Sequence, residues 1–72
     1  MTRDELIAMI IAECEPGINR ALTYGGRSHV LSEVADVVWT YMDRYPDILP
    51  RDPNQKLQGV DLIQRVLEAY GI

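Results

Sequence analysis

Ser28-His29-Val30-Leu31-Ser32-Glu33-Val34-Ala35-Asp36-Val37-Val38-Trp39-Thr40-Tyr41-Met42-Asp43-Arg44-Tyr45 decides the fold of this chain. Its four valines favour a strand, because β-branched side chains lose little freedom on a pleated surface. A half-buried strand would alternate apolar and polar residues with period two. Instead Glu33, Asp36, Thr40 and Asp43 recur every three or four positions. Leu31, Val34, Ala35, Val38, Met42 and Tyr45 return with the same helical period and form one stripe. Val30, Val37 and Tyr41 widen that stripe on one side and Trp39 on the other. The reading is a helix over about residues 29–45, capped by Ser28 and stopped by Pro46.

Working outward, Thr2 followed by Glu5 is a capping-box start for a helix over about 3–14. Leu6, Ile7, Met9, Ile10, Ile11 and Cys14 supply its apolar residues. Pro16 disfavours the helical region for Glu15, so the helix is expected to end or kink there. A short helix over about 18–24 follows, with Ile18, Ala21 and Leu22 inward, until Gly25-Gly26 breaks it with a left-handed residue. Beyond Pro46, residues 46–52 read as an extended crossing that Ile48 and Leu49 pin to the core. Asp52-Pro53-Asn54-Gln55 then matches a helix start, and Gly71 a stop. The helix between them, about 53–70, carries a stripe of Leu57, Val60, Ile63, Val66, Leu67 and Tyr70. Gly59 inside it marks either its true start or a close approach by another backbone.

The fold class expected is all-α, one domain over 1–72, with three longer helices and one short one. A chain of 72 residues buries only roughly 60% of the surface it exposes when unfolded. Dimerisation is therefore expected to complete the core, most simply as a symmetric homodimer. Cys14 is the only cysteine, which excludes an internal disulfide and a cysteine-based zinc site, and its apolar neighbours make it a core residue. Eleven acidic residues against seven basic ones give a net charge of −4. That balance is the reverse of a typical nucleic-acid binder, so nucleic acid is not an expected partner. No apolar run approaches the length of a membrane span, and no signal-peptide pattern is present, so a cytoplasmic location is expected.

No complete catalytic motif stands in the sequence. Arg27 and Ser28, at a helix start after two glycines, are candidate anion-binding residues, although the turn lacks the phosphate-loop pattern. His29 is the only histidine and has neither metal-ligand nor triad partners in its pattern. Arg20-Ala21-Leu22, the glycine/arginine loop and Leu31–Val38 resemble the middle of all-α MazG-like nucleoside triphosphate pyrophosphohydrolases. Those enzymes pair an E-x-x-E helix with an E-x-x-D helix, and the acids hold Mg²⁺ against the triphosphate. The resemblance implies that Glu33 and Asp36 are the E-x-x-D ligands and that Mg²⁺ is the cofactor. Glu13-Cys14-Glu15-Pro16 departs from E-x-x-E, and the helical wheel puts Glu33 and Asp36 on a solvated face unless a dimer encloses them.

The favoured expectation is a small non-enzymatic protein-interaction module without cofactor. It would be a regulator or inhibitor of a larger protein, of the kind phages and accessory genomes encode. Broad apolar arcs and Tyr/Trp enrichment support it, with Trp39, Tyr41, Met42, Tyr45 and Tyr70 as interface candidates. The alternatives are the Mg²⁺-dependent pyrophosphohydrolase and a small helical DNA-binding regulator. The latter would present Glu33, Asp36 and Asp43 to the major groove, against the sign of the phosphates.

Overall fold

The computed structural model describes the backbone of residues 1–49 and 56–72, and the side chains of 1–49 and 59–72. Three helices follow one another: α1 (Arg3–Tyr24), α2 (Arg27–Arg44) and α3 (Lys56–Ala69). No strand occurs among the described residues. Contacts set α2 antiparallel to both neighbours: Gly17 meets Glu33 while Glu13 meets Tyr41, and Gly59 meets Trp39 while Leu31 shares a groove with Leu67. The helices therefore rise, fall and rise as a three-helix bundle. α1 packs most extensively on α2 and least on α3.

α1 opens as its sequence predicts, with the Thr2 hydroxyl accepting from the Glu5 amide at 3.1 Å. It does not end at Pro16. It runs 22 residues to Tyr24, absorbing the segment expected as a separate short helix. The reason is phase. Leu6, Ile7, Ile10, Cys14, Gly17, Ile18 and Ala21 form one unbroken buried stripe. Pro16 and Ala12 lie on the opposite, exposed face. The Ala12 carbonyl that Pro16 leaves without a donor thus faces water, and burial on both sides of the proline holds the helix together.

Gly25 and Gly26 then reverse the chain. Both amides donate to the Ala21 carbonyl, at 2.8 and 2.9 Å. Gly26 takes φ 75°, the left-handed conformation expected of this pair. It also serves as N-cap of α2, which starts at Arg27 rather than after Ser28 and has no side-chain cap. Ser28 and His29 are therefore exposed residues of the first turn. α2 ends at Arg44, just before Pro46. Residues 46–49 form a turn, not an extended crossing, with the Ile48 and Leu49 amides donating to the Tyr45 carbonyl. Leu49 is fully buried and Ile48 packs beside it, so the expected pinning of this segment to the core holds. The Asp52-Pro53-Asn54-Gln55 helix start and residues 50–52 of the crossing lie outside the described residues.

α3 is described from Lys56, and it closes on Gly71 at φ 70°. The Ile72 amide donates to the Leu67 carbonyl at 3.0 Å and the Gly71 amide to the Glu68 carbonyl at 3.1 Å. This is the six-to-one and five-to-two pairing of a Schellman cap. The Tyr70 hydroxyl donates to the Ile11 carbonyl and ties the end of α3 to α1.

The core is apolar throughout, with no buried polar or charged side chain among the described residues. Cys14 sits inside it as expected, and burial, reinforced by Glu13, pushes its thiol up from 9.0 to about 11. Burial also raises the Tyr41 and Tyr70 hydroxyls. Each group is protonated in the fold at a pH where the unfolded chain would ionise it. Their contribution is complete below about pH 9 and is lost as pH rises through the folded values. For Cys14 that contribution is at most about 2–3 kcal/mol. The urea midpoint is therefore expected to be flat from neutrality to about pH 8.5 and to fall toward pH 11. Cys14→Ala should make the fall shallower; an equally steep fall in that variant would show that the thiol does not take part.

Candidate interaction surface

The two long seams of α2 differ in chemistry. On the α1 side, Glu13, Asp36, Val37, Thr40, Tyr41 and Arg44 line a small notch of about 160 Å³. The Tyr41 hydroxyl donates to the Glu13 carboxylate, which holds the phenol protonated after burial has already done so. The Arg44 guanidinium lies over the Tyr41 ring at 5.8 Å from its centroid, and the Tyr45 ring stacks on Tyr41 at 5.9 Å. The Thr40 hydroxyl donates back to the Asp36 carbonyl at 2.7 Å, so it is committed to its own helix.

Glu33 is not on a solvated face. Its carboxylate would come within 2.8 Å of a Cβ at Gly17 and its own Cβ within 3.3 Å, so the absence of a side chain at Gly17 lets Glu33 fold onto α1. Asp36 is exposed and lines the same notch as Glu13. Among the described residues, no group of three or more His, Cys, Asp or Glu gathers closely enough to hold a metal ion.

On the α3 side the seam is apolar. The α2 stripe is rotated from its expected centre. Val30, Val34, Val38, Tyr41 and Met42 are buried, and Leu31, expected inward, is 41% exposed. α3 shows the same rotation. Gly59, Leu62, Val66 and Leu67 face inward, while Val60, expected in the core stripe, is 54% exposed. Leu62 is buried at 1%, a core residue that the expected stripe omits. Leu31, Val60, Ile63, Leu67 and Ile72 thus line a groove of about 460 Å³ between α2 and α3, with Arg27, Gln64 and Glu68 at its margins. The Schellman cap places Ile72 there, next to Leu67. At the other end of the seam the Trp39 ring lies against Gly59, where a Cβ would come within 2.9 Å of it. The close approach expected at Gly59 is therefore by an indole, not by a backbone.

The five interface candidates divide accordingly. Tyr41, 3% exposed, and Met42, 2% exposed, are enclosed by the chain itself and serve its core. Tyr45 and Tyr70 are half-buried, the first stacked on Tyr41 and the second bonded to α1. Trp39 remains on the surface, at the apolar seam. Of the two anion-binding candidates, Arg27 lines the groove and Ser28 is exposed beside it in the first turn of α2. Leu31 and Val60 were missed as surface residues because wide apolar arcs give a helical wheel no sharp centre. The signal that finds them is the shared phase of Leu31, Ala35 and Trp39 on one side of α2.

No protein-family model matches the chain, and no curated protein or solved structure proves similar to it. Among the described residues no helix is long and apolar enough to cross a membrane.

Proposed function

We propose that this chain is a non-enzymatic protein-interaction module, of the regulator or inhibitor kind, whose contact surface is the α2/α3 seam. The observation that carries the reading is the groove itself. Two large aliphatic side chains, Leu31 and Val60, stand 41% and 54% exposed over a floor of Ile63 and Leu67, with charge at the margin. An apolar centre inside a polar rim is the anatomy of a protein-binding patch. α2 and α3 each bury one apolar stripe inside the bundle and leave further apolar residues at the seam.

Site-specific photocrosslinking in cells tests it. A photoreactive residue in place of Val60 or Leu31 is expected to yield a covalent protein adduct, and one in place of the exposed Arg20 on α1 is not. Equal adduct yields at all three positions, or none at any, would overturn the assignment of the surface.

A further inference from the structure

Resting on that reading, we infer that the chain seated on the α2/α3 groove is a second copy of this protein, related by a two-fold axis. The margins of the groove carry one cation and one anion, Arg27 on α2 and Glu68 on α3. In a two-fold contact the same patch meets itself, so residue i faces residue j and j faces i. With the axis running along the seam, α2 of each copy lies over α3 of the other, so Arg27 of each copy meets Glu68 of its partner at one end of an apolar stretch that includes Leu31 and Val60 from both chains. A patch with two like charges at its margins would repel its own copy; this one is self-complementary.

The net charge of −4 opposes association at long range, but it is screened beyond about 8 Å at physiological salt, whereas the Arg27–Glu68 pairs act at contact.

Light scattering on a sizing column, over a range of loading concentrations, is the test. The wild-type chain is expected to approach twice 8.2 kDa as concentration rises. Leu31→Glu and Val60→Glu should each hold it at 8.2 kDa, with far-ultraviolet circular dichroism confirming that the helices remain. Both positions are exposed in the single chain, so the substitutions spare its core. Leu22→Glu, exposed but outside the groove, should leave the dimer intact. Arg27→Glu should weaken the dimer at least tenfold by setting like charges opposite each other. Adding Glu68→Arg should restore it, because the pair is then exchanged across the axis. A mass of 8.2 kDa at every concentration, or a dimer indifferent to Leu31→Glu and Val60→Glu, overturns the inference. A crosslinked adduct to a different protein together with a monomeric mass would leave the binding surface standing and remove only the second copy.

Discussion

Pro16→Ala is expected to stabilise the chain by about 2 kcal/mol. A proline in a helix interior costs about 3 kcal/mol relative to alanine, through the missing hydrogen bond and the clash with the carbonyl four residues before it. Part of that is offset because proline restricts the unfolded chain, an effect of about 0.4–1 kcal/mol. Pro16 is exposed and lies opposite the buried stripe of α1, so alanine removes no packing. It also gives the Ala12 carbonyl its missing partner. At about 4–8 °C per kcal/mol for a domain of this size, the melting midpoint should rise by roughly 10 °C, and helicity should rise with it. If Pro16 instead separated two independent helices, alanine at this position would leave both quantities almost unchanged. Thermal melts followed by circular dichroism therefore decide whether α1 is one helix.

The proline also shows why local punctuation misplaces α1. Pro16-Gly17 is a strong breaker taken by itself, yet the apolar phase runs through it: Cys14, Ile18 and Ala21 continue the spacing of Leu6 and Ile10. A breaker on the solvent side costs a fixed few kcal/mol, whereas ending the helix would expose a whole stripe. The all-α class, the Thr2 cap, the Gly25-Gly26 break, the Gly71 stop and the burial of Cys14 and Leu49 were all legible, because each rests on a strong local preference or on period alone. What was not legible is rotation. Where apolar residues cover more than half a wheel, the sequence shows that a helix has two contacts but not which stripe faces the core and which the surface. Glu33 illustrates the same point from the polar side. Only Gly17, on another helix and 16 positions earlier, makes room for its carboxylate against α1.

Leu62→Ala against Val60→Ala tests the rotation of α3 directly. Leu62 is 1% exposed and closes the core between the helices, so truncation leaves a cavity. Leucine-to-alanine changes at such sites cost about 2–5 kcal/mol. Domains of this size are stable by on the order of 4–11 kcal/mol, so Leu62→Ala removes a large share and should lower the urea midpoint severely at unchanged slope. Val60→Ala removes two carbons rather than three, and from a side chain that stands 54% exposed. In dilute solution, where each chain is alone, Val60→Ala should cost less than about 1 kcal/mol. At high concentration its cost should grow, since a partner that binds only the folded chain adds to apparent stability by mass action. The reverse ranking, with Val60→Ala the more damaging in dilute solution, would turn α3 about its axis toward the stripe that periodicity alone suggests, with Val60 inside and Leu62 outside. The apolar groove would then lose its most exposed aliphatic side chain, because Val60 would lie inside the bundle. The contrast between these two residues thus fixes the core, and with it the surface on which the function of this chain is proposed to rest.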